Sequence, residues 1–148
     1  MPTKFSINSN ITQAETLSSE FYVNPEIFID CKKKIFAPSW LIITHTSTFD
    51  KKNVHPFSFL KGYIDEPLLL IKDGENINCY SNVCTHRAHL VASEPCNIKT
   101  LRCPYHGRTY NLDGSFKSMP GFERVKKFPT KRDNLKSIPT LKWNNFIF

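Results

Sequence analysis

The chain has 148 residues, a net charge of +7, 40% hydrophobic residues and five cysteines, enough for one domain that buries roughly 68–70% of its unfolded surface. Its apolar runs, such as residues 68–71, are far short of the roughly 18 residues of a membrane span, and residues 1–10 lack the shape of a signal peptide. Neither a membrane protein nor an exported one is expected; the expected location is cytoplasmic, with Cys31, Cys79 and Cys96 as free thiols in a reducing compartment.

In chain order, residues 1–20 are polar and aperiodic and read as a loose arm. Asn24-Pro25-Glu26 reads as a helix start, with Asn24 as N-cap and Pro25 at the first helical position. Ile27, Phe28, Cys31 and Ile35 recur at helical spacing, which predicts a helix that buries one face and stops before Pro38. After it the texture changes to short strands, predicted over 40–44, 67–72, 77–81, 99–102, 109–112 and 142–148. Asp73-Gly74 and Asp113-Gly114 read as tight hairpin turns. His45 falls at the end of a predicted strand and His55 in a loop flanked by lysine and proline; both read as surface or packing residues. The sum is a mainly β fold, a small antiparallel barrel or sandwich, with one leading helix.

Chemistry concentrates in two loops. Cys84-Thr85-His86 and Cys103-Pro104-Tyr105-His106-Gly107 read C-x-H and C-x-x-H, separated by sixteen residues. Two cysteines and two histidines can close a tetrahedron around zinc, but zinc sites usually pair cysteine with cysteine and histidine with histidine along the chain. Here each loop offers one of each, so each loop can supply one ligand to each iron of a diiron cluster. That is the ligand set of a Rieske 2Fe–2S cluster, in which two histidines replace two cysteines on one iron. Imidazole is neutral where thiolate is anionic, so the potential falls at roughly −150 to +300 mV, against about −400 mV for an all-cysteine plant-type cluster.

The flanking residues extend the match. The runs from Ser81 through Cys84, His86, Arg87 and Leu90, and from Cys103 through Gly107, Tyr110, Asp113-Gly114 and Pro120, resemble the N-terminal Rieske domain of a Rieske non-haem iron oxygenase of the aromatic-ring-hydroxylating type, in its alpha subunit. The resemblance covers about residues 21–148. It implies Cys84 and Cys103 on one iron, His86 and His106 on the other, and the histidine-bound iron as the one reduced. It implies histidine rings at the surface, with unligated nitrogens able to carry protons. His106 becomes the candidate exit toward a mononuclear non-haem iron, held by a 2-His-1-carboxylate site in a catalytic domain this chain does not contain. Arg87, His89, Tyr105, Gly107 and Arg108 are candidate neighbours of the ligands, and Gly107 with the loop backbone is expected to donate N–H bonds to the sulfurs. Pro120-Gly121 reads either as a third loop over the cluster or as an ordinary turn.

Two positions depart from the family pattern. Ala88 stands where glycine is usual, and glycine there would allow positive φ. Arg108 stands where tryptophan is usual; a cation there should favour the reduced cluster, so Arg108→Trp should lower the midpoint potential. The cytochrome bc-type branch of the family carries a disulfide between the loops. The corresponding positions here are His89 and Tyr105, so that bridge cannot form.

From residue 116 onward there are eight Lys and Arg against two acidic residues. No nucleic-acid motif accompanies this charge. A solvated face, or a docking surface for an acidic ferredoxin or reductase, fits it better. The expected partners are a ferredoxin or flavin reductase as electron donor and other oxygenase subunits, with neither nucleic acid nor membrane. No histidine follows His106, and the chain ends inside an apparent strand. It therefore reads as residues 21–148 of a Rieske domain truncated before a catalytic domain, transferring electrons without hydroxylating anything itself. The alternative is a free-standing Rieske-type ferredoxin.

Overall fold

The computed structural model describes residues 5–148, so residues 1–4 of the expected arm lie outside the described residues. The chain divides into two compact units, one ending at Leu41 and one running from Ile42 to Phe148.

The first unit holds α1 (Ser19–Val23), α2 (Pro25–Cys31) and a wider π-type turn, Lys32–Phe36. Asn24 has an extended backbone that breaks α1 from α2, and its side chain accepts the Glu26 N–H at 2.9 Å. The predicted cap and N1 proline are thus in place, and the helical path stops before Pro38. The expected burial is not. Neither α1 nor α2 contains a buried residue, and Phe28 and Ile35 are about half exposed, at 53% and 51%. The apolar spacing is real, but two helices of five and seven residues build too little structure to cover it within this unit.

The strands of the second unit all pair antiparallel. Its strands are β1 (Thr44–His45), β2 (Val54–Phe59), β3 (Glu66–Asp73), β4 (Asn76–Ser81), β5 (Leu101–Arg102), β6 (Thr109–Tyr110), β7 (Phe116–Ser118), β8 (Ser137–Ile138), β9 (Lys142–Trp143) and β10 (Phe146–Ile147). They form three sheets, ordered β2-β3-β4-β8, β5-β6-β7 and β1-β10-β9. The mainly β, antiparallel prediction holds. Some local predictions fail. His55 lies on β2, paired with Leu70, although the Pro56 beside it argued for a loop. Residues 142–148 are a hairpin, not one strand, turned by Asn144 at φ 51. Of 40–44, only Thr44 joins a strand.

The run Leu68-Leu69-Leu70-Ile71 explains the layering. A strand buried on both faces reads as a continuous apolar run, and all four residues are at most 4% exposed. Leu69 and Ile71 join a core with Val54, Tyr80, Leu101 and Tyr110, together with Cys84 and Cys103. Leu68 and Leu70 point the other way, into a second core with Phe49, Cys79 and Ile147. Each such aliphatic side chain contributes roughly 1.5–3 kcal/mol on burial. Both sequence-predicted hairpin turns form. Gly114 has φ +76 and lies so close to Tyr80 that an added Cβ would sit 2.5 Å from the ring, so only glycine fits. Among the described residues, no helix is long and apolar enough to cross a membrane.

Candidate metal centre

The two candidate ligand loops are copies of one backbone device. In the first, the Cys84 N–H donates to the His89 carbonyl at 2.8 Å and the Ala88 N–H to the Cys84 carbonyl at 3.0 Å. In the second, the Cys103 N–H donates to the Arg108 carbonyl at 2.8 Å and the Gly107 N–H to the Cys103 carbonyl at 3.0 Å. The fourth residue after each cysteine turns the chain with positive φ, at 55° for Ala88 and 74° for Gly107. The position therefore needs the left-handed conformation that glycine provides, and Ala88 adopts it at a cost of roughly 1–2 kcal/mol. Ala88→Gly should stabilise the chain by about 1 kcal/mol, after the extra chain entropy of glycine is subtracted, as read from the denaturant midpoint. The Gly107 N–H closes the turn on the Cys103 carbonyl.

Each cysteine is rooted in the core. Cys84 and Cys103 are 3% and 1% exposed. Burial pushes the Cys103 thiol above its ordinary range, and hydrogen bonding and charge from the adjacent Cys84 push it the same way. Buried Asn82 anchors the first loop: its side-chain oxygen accepts the N–H groups of Val91 and Ala92 at 3.1 and 3.0 Å, and its amide donates to the Ala92 carbonyl at 2.8 Å.

The histidines lie outward of the sulfurs. His86 and His106 are half-buried, with ring centroids 4.9 Å apart and planes at 72°. His86 is held below its ordinary pKa first by burial, then by His106, Arg108 and Arg87. Tyr105, 55% exposed, lies over His106 at 3.7 Å, and His89 lies 5.6 Å from Tyr105. An aromatic contact thus links the two positions where the bc-type branch would carry its disulfide. Phe122 packs 6.0 Å from His86, and Pro120 lies against Gly107, so the segment after β7 covers this corner. All five cysteines are free.

Three residues that sequence reasoning passed over as site residues complete the surroundings. Tyr110 is fully buried. Its hydroxyl lies 3.3 Å from Cys84 Sγ, accepts the Thr85 N–H at 3.0 Å and lies 3.0 Å from the Thr85 hydroxyl. Burial first, and then the Cys84 sulfur, push its pKa up to about 12, so it remains a proton donor. Thr85 donates to the Asp133 carbonyl at 2.8 Å. Asp133 sits in a short 3₁₀ turn, Lys131–Asp133, inside a capping box with Thr130. The T-x-x-D spacing was a legible cap signal; its place beside the loops was not.

Arg108 is 3% exposed, not a free surface cation. Its Nη1 donates to the Thr85 hydroxyl at 2.7 Å and to Asp133 Oδ1 at 3.1 Å. Its guanidinium carbon lies 5.3 and 5.5 Å from the Phe116 and Phe128 ring centres.

The donor set fits a two-iron, two-histidine cluster. Two thiols neighbour each other inside, and two imidazoles neighbour each other outside. Among the described residues, no group of three or more His, Cys, Asp or Glu side chains is arranged to hold a metal ion.

Comparison with known proteins agrees with this geometry. The family model for the Rieske [2Fe-2S] domain matches residues 39–129. The carnitine monooxygenase oxygenase subunit of Acinetobacter baumannii is 27% identical over 150 aligned residues, covering 100% of this chain and 39% of that protein. The glycine betaine monooxygenase oxygenase subunit of Pseudomonas aeruginosa is 33% identical over 136 residues, covering 90% of this chain and 30% of its own length. The crystal structure of a quaternary ammonium Rieske monooxygenase bound to L-carnitine superposes with a TM-score of 0.75 at 26% identity, covering 86% of this chain and 36% of that one. The chain therefore spans well under half the length of these relatives, in the portion that carries the two ligand loops. The chain belongs to the Rieske [2Fe-2S] domain family.

Proposed function

We propose that this domain transfers electrons through a Rieske 2Fe–2S cluster and does so as the N-terminal part of an oxygenase alpha subunit. The observation that carries this reading is the layering of the site, with paired thiols in the core beneath paired imidazoles at the surface. Cys84 and Cys103 would hold one iron of the cluster and His86 and His106 the other. When bound, the cluster supplies a one-electron store. The protein's part is to root the sulfurs in a dry core, donate the Tyr110 proton toward Cys84 Sγ, and leave the imidazole edges accessible. His106, under Tyr105, is the exit toward a mononuclear iron in the catalytic portion of a longer chain. The named relatives act on carnitine and glycine betaine, so quaternary ammonium compounds are the substrate class to assay first in that longer chain.

The electron donor is an acidic ferredoxin or reductase. Phe122 and Phe128 pack inward, 5.2 Å apart, and the segment between them exposes Arg124, Lys126 and Lys127. Arg87, Lys131 and Arg132 are exposed on the flanking turns. Of the two acids nearby, Asp133 is already paired with Arg108, and Glu123 accepts the Gly121 N–H. A basic rim beside the histidines favours an acidic partner and speeds its encounter. Stopped-flow reduction of the loaded protein by an acidic ferredoxin should slow steeply from low to high ionic strength. Lys126→Glu with Lys127→Glu should slow it further at low salt while leaving the potential in place. A rate indifferent to salt would rule this donor surface out.

A further inference from the structure

Arg108 and Asp133 form a partly buried ion pair between the two ligand loops and the Thr130–Asp133 turn. Three features set it apart from an ordinary surface pair. The arginine side chain is 4% exposed and the aspartate 18%, so water screens the interaction less than it would a surface pair. The same Nη1 that pairs with Asp133 also donates to the Thr85 hydroxyl, and Thr85 lies between Cys84 and His86 in sequence. Asp133 is held from its other side: Oδ2 accepts from the Thr130 backbone N–H at 2.8 Å and the Thr130 hydroxyl at 3.0 Å. Burial raises the Asp133 carboxyl, but the Thr130 bonds and Arg108 outweigh it and leave its pKa below the ordinary value, so the carboxylate is charged.

The Arg108 Nε also points at Met119 Sδ at 3.3 Å. One guanidinium thus joins the first loop through Thr85, the second loop through its own backbone, the segment after β7 through Met119, and the 3₁₀ turn through Asp133. The Thr85 hydroxyl already donates to the Asp133 carbonyl and accepts from Arg108. That arrangement favours aiming the single Tyr110 proton at Cys84 Sγ.

We propose that Arg108 and Asp133 are positioning residues that act as a charge-balanced clamp, holding the two ligand loops together and setting the cluster potential as a pair. This inference rests on the loops being a cluster site. It changes the expectation for Arg108 alone. The cation's effect on the cluster is largely cancelled by Asp133, so removing either partner exposes the other as an uncompensated charge beside the loops. Arg108→Trp lowers the potential whether Arg108 acts alone or as half of a pair. The Asp133 variants separate the two cases.

The experiment is a double-variant cycle on the full chain with Arg108→Gln, Asp133→Asn and both together. Each protein is first checked for the Rieske electron paramagnetic resonance signal, and its midpoint potential is then measured by redox titration. Arg108→Gln should lower the potential, Asp133→Asn should raise it, and the double variant should return toward the parent. A merely structural role would move both single variants in the same direction, or neither, and that result overturns the proposal. Arg108→Lys keeps the charge and loses the fork, so its potential should stay near the parent even though its cluster is lost faster to a chelator. If Arg108→Gln does not fold, the shifts of Asp133→Asn and Arg108→Lys decide the matter. In parallel, thermal unfolding of the cluster-free chains should show the double variant losing less than the sum of the singles; strict additivity would sink the clamp. A parent chain that binds no cluster would refute the electron-transfer reading, while the unfolding cycle would still decide whether the clamp exists.

Discussion

Replacing Cys103 with serine should abolish the cluster. Cys103 is 1% exposed and neighbours Cys84 in the core, so no other thiol on its loop can take its place. Serine offers a hard, protonated oxygen where a soft thiolate is needed, and it buries a hydroxyl among apolar residues at a cost of about 1–3 kcal/mol. Anaerobic reconstitution with iron and sulfide should therefore give no Rieske signal in Cys103→Ser. The second unit should keep its strands, because β3 and both cores remain. Cys31→Ser, in the other unit, should load like the parent. Retention of a full signal by Cys103→Ser would remove Cys103 from the ligand set.

Tyr110→Phe should have the second-largest effect, on potential and stability together. The hydroxyl is fully buried and touches three polar groups: the Cys84 sulfur, the Thr85 N–H and the Thr85 hydroxyl. Phenylalanine keeps the ring's packing and leaves the Thr85 N–H without its acceptor, which should cost about 1–3 kcal/mol in denaturant unfolding. A proton aimed at a ligand sulfur stabilises the more negative, reduced cluster. Its loss should lower the midpoint potential by tens of millivolts. A potential equal to the parent's would show that the hydroxyl serves Thr85 alone.

The proposed ligands were legible because their chemistry is local. Cys84, His86, Cys103 and His106 sit within four residues of one another on each loop, and the mixed Cys/His pairing on each loop distinguishes this set from zinc spacing. The double-faced burial of β3 was written in the run Leu68 to Ile71, and the hairpins in Asp73-Gly74 and Asp113-Gly114. What could not be read depends on contacts distant in sequence. Arg108 reads as a charge beside the cluster until Asp133, 25 residues away, is brought to it. Tyr110 belongs to the motif, but its donor role depends on Thr85 across the other loop. Strand β2 was concealed by Pro56, which pairing with β3 accommodates at the edge of its sheet. The apolar spacing of α2 predicted burial that the first unit, taken by itself, does not supply. Ala88 shows the limit of reading residue types: alanine gives no hint of a left-handed turn, yet the loop imposes one.

The most direct measurement is the low-temperature electron paramagnetic resonance spectrum of the dithionite-reduced parent chain, purified without air. Two-histidine ligation predicts a rhombic signal whose average g lies clearly below that of all-cysteine clusters. A sample that stays silent and carries stoichiometric zinc, even after anaerobic reconstitution with iron and sulfide, would contradict it.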